Sequence, residues 1–273
     1  MNSIRVVVLS DNCASARAAR GEHGLSYSIE IGGRRALFDV GQGLVLAENV
    51  QALGVDLGAV EAIALSHGHY DHTGGLPIAL AAARGSVAVH LHPDALQPKY
   101  NGTRFIGMPP AARAALSGPN VRFVESREPG EVVPGLFRTG EIPRPHPEEA
   151  LAEIFHLGPD GRAVDPLLDD QSLYFDTPEG VVVLLGCAHA GVIHILERVR
   201  TLTNGRPLRA VLGGMHLGKA TDARLRWTID RLRGFGLQLL VPMHCTGPRA
   251  AAALWAAFPE TCRPGGAGAI FDF

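Results

Sequence analysis

Six consecutive residues of this 273-residue chain carry three imidazoles and one carboxylate: His67, His69, Asp71 and His72. Neutral imidazole and carboxylate suit zinc and several of its divalent neighbours. In an extended segment His67 and His69, two apart, point the same way. Asp71 and His72 follow where the chain turns into an alanine-rich helical pattern, and they can face a second point in space. The cluster therefore suits two cations better than one. The plain alternative is a polar loop with histidines exposed by chance, and four such ligands at this density argue against it. Three more histidines stand just past apolar runs. Residues 181–185 lead to Gly186-Cys187-Ala188-His189, residues 208–212 to Gly213-Gly214-Met215-His216, and residues 237–241 to Pro242-Met243-His244. One such histidine reads as a capped turn. Four apolar runs ending this way, counting 60–65 before His67, point to convergence at one sheet edge, since ligand sites form at the carboxyl ends of strands.

The elements that must position these residues are legible in the apolar pattern. Strands are expected at 4–9, 25–31, 34–40, 60–65, 86–91, 121–125, 132–139, 172–176, 181–185, 208–212 and 237–241. Gly32-Gly33 joins two of them as a hairpin, because both positions tolerate positive φ. Helical patterns cover 44–53, 76–84, 192–203, 222–235 and 248–258, with Gly54 and Gly85 as stops. Segments 11–24 and 97–119 read as long loops of the kind that lie over sites. A proline-rich excursion spans 141–149. Asp39, at a strand end, reads as a turn cap or as the partner that orients a ligating histidine. His23 reads as a solvated loop residue, and His90 and His92 as polar residues of a strand end.

Bulk properties set bounds. The chain is 46% hydrophobic and 19% charged, an ordinary globular balance. At this length a core forms without help from metal. A net charge of −2 offers no polyanion-binding surface, so nucleic acid is not an expected partner. Cys13, Cys187, Cys245 and Cys262 are scattered and form no Cys-x-x-Cys motif or disulfide framework. No apolar run approaches the roughly 20 residues of a membrane span, and 4–9 lacks the form of a signal peptide. A cytoplasmic protein of one domain, 1–273, is expected, with self-association left open.

His67-Gly-His69-Tyr-Asp71-His72 resembles the His-x-His-x-Asp-His signature of the metallo-β-lactamase superfamily, and the downstream histidines extend the resemblance over nearly the whole chain. It implies an α/β four-layer sandwich, two mixed sheets face to face with helices outside, and two divalent metal ions on one edge. Zinc ranks first, then manganese or iron. His67 and His69 would hold one ion. Asp71, His72 and His244 would hold the other. Gly186-Cys187 falls where the superfamily has Gly-Asp, so the missing ligand of the first ion is assigned to His189, with a Cys187 thiolate as the alternative and His146 behind both. His216 is expected beside the metals, orienting substrate or donating a proton, and Asp71 to help orient a water. A narrower resemblance, carried by His23-Gly-Leu-Ser26, Asp169-Asp170-Gln171, Gly186-Cys-Ala-His-Ala-Gly191, Gly213-Gly-Met-His-Leu217 and His244-Cys-Thr-Gly247, is to a subfamily of dihydropterin-ribofuranosyl-aminobenzene phosphate synthases. It implies a small, phosphorylated substrate. A hydrolase, a transferase or synthase, and a metal-dependent binding protein without turnover remain the readings. A histidine at 69, where the oxygen-reductase branch has an acid, favours Lewis-acid chemistry.

Overall fold

The structure is a computed structural model that describes residues 3–273. Side chains of alternate residues go to opposite sheet faces, and each face is apolar. In β1 (Arg5–Ser10), Val6 and Val8 face one core while Val7 and Leu9 face another. The first half continues with β2 (Ser26–Ile31), β3 (Arg34–Phe38), α1 (Leu46–Ala52), β4 (Val60–Ala64), α2 (Tyr70–Thr73), α3 (Leu76–Ala82) and β5 (Val87–Leu91). Next come β6 (Tyr100–Asn101), β7 (Arg104–Phe105), α4 (Pro110–Ala115) and β8 (Val121–Glu125). The second half holds β9 (Gly130–Val133), β10 (Leu136–Arg138), β11 (Leu173–Thr177), β12 (Gly180–Leu185), α5 (Val192–Leu202) and β13 (Leu208–Gly214). It ends with α6 (Asp222–Arg233), β14 (Leu239–Met243), α7 (Pro248–Ala257) and β15 (Ile270–Asp272).

Seven strands form one sheet, in the order β15-β1-β2-β3-β4-β5-β8, and six form the other, β14-β13-β12-β11-β10-β9. Their inner faces meet: Tyr27, Phe38 and Ala64 pack with Phe175, Leu184 and Leu212. On the outer faces, Leu37, Ile63 and Leu65 lie under Leu46, Leu76 and Ala112 of α1, α3 and α4. Val183, Leu185 and Val211 lie under Ile195, Leu225 and Leu254 of α5, α6 and α7. The result is the expected four-layer α/β sandwich. β12 is buried along its whole length. Each buried valine or leucine there contributes about 1.5–3 kcal/mol, so this strand needs no cation to form. β3, β4, β5 and β8 run parallel, as do β12, β13 and β14. Parallel neighbours put their carboxyl ends on a shared edge, which is where the histidine loops emerge.

Two expectations are corrected, and one strand was not anticipated. The strand at 132–139 is two, β9 and β10, broken at Pro134-Gly135, where Gly135 has φ 87° and Pro134 has no N–H to continue a ladder. Segment 97–119, read as irregular, contains the β6–β7 ribbon and α4, which starts on Pro110, a residue preorganised for the first helical turn. β15, read from nothing in the pattern, pairs antiparallel with β1. The Gly32-Gly33 hairpin forms as expected, with φ 57° and 78°. Among the described residues no helix is long and apolar enough to cross a membrane.

Candidate metal centre

β4 ends at Ala64, and the chain bends through Ser66, His67 and Gly68 to His69, which precedes the single turn of α2. That turn swings Asp71 and His72 toward β14. His67 Nε2 lies 2.9 Å from His69 Nδ1 and 3.2 Å from His189 Nε2. Zinc–nitrogen bonds of about 2.0–2.1 Å in a tetrahedron require nitrogens about 3.3 Å apart, so these three are spaced for one ion. A second group adjoins it. His72 Nε2 and His244 Nε2 are 3.1 Å apart, and Asp71 Oδ2 lies 3.7 Å and 3.5 Å from them.

The outward nitrogens fix the tautomers. Asp39, fully buried, accepts hydrogen bonds from His72 Nδ1, Ser66 N and Ser66 Oγ, all at 2.7 Å. Ser66 Oγ spends its proton on Asp39, so it accepts from His67 Nδ1 at 2.8 Å. His244 Nδ1 donates to Asn12 Oδ1 at 2.9 Å. His67, His72 and His244 therefore carry their protons outward and bare Nε2 lone pairs inward. Two such lone pairs, on His72 and His244, confront each other across 3.1 Å. Only a proton or a cation between them makes that contact favourable. The donor set fits divalent metal.

Burial pushes His67, His69, His189 and His244 well below the ordinary imidazole value, and neighbouring imidazoles add to the effect. Burial acts the same way on His72, but the Asp39 and Asp71 carboxylates outweigh it and lift His72 to about 9.

The Gly186–Gly191 loop brings both Cys187 and His189 to the pocket. Ala188 is held at φ 57°, and both flanking side chains turn inward. Cys187 Sγ reaches 3.2 Å from His72 Nε2. The two readings of this loop are not exclusive in space. His216 lies beside His189 with ring centroids 4.3 Å apart, and its Nε2 is 3.6 Å from Glu153 Oε2. Burial opposes its charged form, but contacts with Cys245 and Glu153 raise it to about 9. Asp39, Ala188, His216 and His244 all have positive φ, four of the six such non-glycine residues among those described. Backbone of this kind clusters at functional sites.

Several residues around the site were given no role by the sequence reading, although His23 and Asp169-Asp170-Gln171 lie in the motifs that carry the narrower resemblance. His23, read as solvated, places Nε2 3.3 Å from Asp71 Oδ2 and its ring 5.3 Å from that of His244. A signal lay next to it: a methyl on Gly24 would sit 2.6 Å from the Asp71 carbonyl oxygen, so only glycine lets this loop approach. Asp11, lifted to about 6 by burial, accepts from His244 N at 2.8 Å. Asp169, Asp170 and Gln171 brace two ligand loops, accepting from Gly68 N at 2.8 Å and Ala190 N at 3.0 Å and donating to Leu65 O at 2.9 Å. Lys99, fully buried, bonds Asp165 at 2.8 Å and Asp169 at 3.0 Å. His146 does not join the cluster; it stacks on His194 and bonds Glu197 at 2.8 Å. His92 bonds Glu141 at the end of β5, as a strand-end residue would.

The two groups floor a pocket of about 340 Å³. Phe155 and Ile106 supply apolar wall, and Arg104, Asn101 and Lys219 supply polar wall. Arg104 comes from the β6–β7 ribbon and lies over the Tyr70 ring, 5.4 Å from its centroid, with a hydrogen bond to the Tyr70 hydroxyl.

Comparison with known proteins agrees with this architecture. The chain is 33% identical over 252 residues to an uncharacterised protein of Methanocaldococcus jannaschii, covering 91% of this chain and 93% of that one. It is 27% identical over 297 residues to the 7,8-dihydropterin-6-methyl-4-(beta-D-ribofuranosyl)-aminobenzene-5'-phosphate synthase of the same organism, covering 100% and 98%. Its fold superposes on the crystal structure of Tm1679, described as a metal-dependent hydrolase of the beta-lactamase superfamily, with TM-score 0.83, 31% identity and 98% of each chain covered. The metallo-beta-lactamase superfamily profile matches residues 19–244, and the chain belongs to that superfamily.

Proposed function

We propose that this protein is a metal-dependent enzyme that uses two divalent cations, zinc first, to hydrolyse an ester or phosphoester bond in a small phosphorylated molecule. The observation that carries the reading is the facing pair of bare lone pairs on His72 and His244, set beside a second imidazole group with tetrahedral spacing. His67, His69 and His189 would hold one ion, and Asp71, His72 and His244 the other. When bound, the ions would acidify a water towards neutrality and polarise the oxygen under attack.

The rest falls to this chain's own side chains. Asp39 keeps two imidazoles in the ligating tautomer, directly at His72 and through Ser66 at His67. Asp71 offers Oδ2 at the pocket floor, where it can orient a water proton. His216 lines the pocket with Glu153 behind it, and so can hand a proton to a leaving oxygen. Phe155 and Ile106 exclude bulk water from one wall. Arg104 adds a positive charge to the lining, and Lys219, paired with Glu153, stands in the same lining, so Arg104 is the group suited to a phosphate remote from the reacting bond.

A second reading is favoured by one observation, the end-to-end likeness to a relative named as a synthase. There the same cations would hold a phosphate or stabilise a leaving group, with no water consumed. Metal analysis of the purified chain, followed by turnover of a phosphoester panel in oxygen-18 water, separates the two. The hydrolase predicts two metals per chain and label in the product. Turnover without label would overturn it in favour of transfer.

A further inference from the structure

We propose that Cys187 is a bridging metal ligand whose thiolate joins the two cation sites. This rests on the binuclear reading above and adds a donor of a different chemical kind. Cys187 Sγ lies within 4.8 Å of ligand nitrogens on both His67, in the first group, and His72, in the second. It is grouped just as closely with His189 and His216, and with His244 and Cys245. No carboxylate takes part in those three groupings; Asp71 is turned to the far side, toward His23 and His244. Sulfur is therefore within reach of both imidazole groups.

The approach to His72 is direct. His72 is fully buried, its Nδ1 proton is committed to Asp39, and its Nε2 faces Sγ from 3.2 Å. One ion bound by both, at about 2.0–2.1 Å to nitrogen and 2.3 Å to sulfur, requires a separation of roughly 3.5 Å for a tetrahedral angle. A shift of a few tenths of an ångström reaches it. The loop is built to hold the sulfur there. Gly186 packs so closely on Ser66 that a methyl would sit 2.3 Å from Ser66 Oγ, and the left-handed Ala188 follows. Cys187 is 4% exposed, so its thiol has no competing contact with bulk water. A thiol ligates as thiolate, so a bound cation displaces its proton. Binding releases one proton from Cys187 to solvent, and the sulfur lone pairs then serve both ions.

The test uses the intact chain, stripped with chelator and reloaded with zinc alone or cobalt(II) alone. X-ray absorption of the dizinc form is expected to show one sulfur per zinc at about 2.3 Å, because a bridging sulfur is seen by both ions. A value of one half means a terminal ligand and overturns the bridge, and zero overturns ligation. The cobalt form is expected to show a near-ultraviolet thiolate-to-cobalt charge-transfer band. C187S should lose that band while C245S keeps it, and the reverse pattern would transfer the role to Cys245 and overturn the assignment. C187D, which restores a carboxylate, should bind two cobalt ions without the band. If the wild-type chain takes up no metal at all, it is the binuclear reading that has failed. If it takes up two ions without sulfur, only the bridge has.

Discussion

Replacing Asp39 by Asn should disable the second cation site while leaving the fold in place. Asp39 is fully buried and accepts three hydrogen bonds at 2.7 Å. The amide of Asn has nearly the same volume but one accepting oxygen. If that oxygen keeps Ser66 N, the amide NH2 faces Ser66 Oγ and the Nδ1–H of His72. Two donors then oppose each other. The cheapest repair is to move the His72 proton to Nε2, which removes the lone pair that faces His244. The charge-assisted bond given up is worth about 1.5–3 kcal/mol. At 1.4 kcal/mol per tenfold, the second cation should bind roughly 10- to 100-fold more weakly, in line with the usual effect of losing a histidine's outer partner. The first site, reached only through Ser66, should weaken less, and Ser66→Ala should affect it alone. Zinc competition against a chromophoric chelator measures both affinities, and circular dichroism checks the fold. A D39N chain that is folded and binds its second zinc as tightly as wild type would refute the tautomer argument.

Other consequences can be checked in parallel. Because His72 is lifted to about 9, metal competes with a proton there below that pH. Second-site affinity should fall at least tenfold per unit as pH drops from 9 to 7; a pH-independent affinity would contradict it. Lys99→Met leaves the Asp165 and Asp169 carboxylates buried and unpaired. It should cost about 3–5 kcal/mol and lower Tm by roughly 10 °C in a thermal melt, with unchanged Tm counting against the buried triad. Arg104→Ala should raise KM about tenfold for a phosphorylated substrate, with kcat and metal content unchanged. His216→Gln should keep two metals per chain and lower kcat by about 10²-fold or more; loss of metal would make it a ligand instead.

The reading from sequence succeeded where the information is local. His67, His69, Asp71 and His72 lie within six residues, so one strand and one helical turn fix their geometry. His189, His216 and His244 could be placed because parallel strands put their ends on a shared edge. Contacts between distant segments were not legible. Asp11 holds the His244 backbone across 233 residues, and Asp169 holds Gly68 across 101. Nothing in the spacing of either acid announces its partner. His23 is exposed, as read, yet it also reaches Asp71, which the loop's sequence alone does not announce. The ribbon that presents Arg104 has two residues in each strand, too short for any periodicity to register.

The left-handed residues on the ligand loops give the molecule an uneven mechanical character. Asp39, Ala188, His216 and His244 each hold torsional energy on the order of 1 kcal/mol or more, all along one rim. A chelator should therefore act like the release of a catch. The rim would loosen and its amides exchange with deuterium early, while the strands stay protected until the whole chain melts.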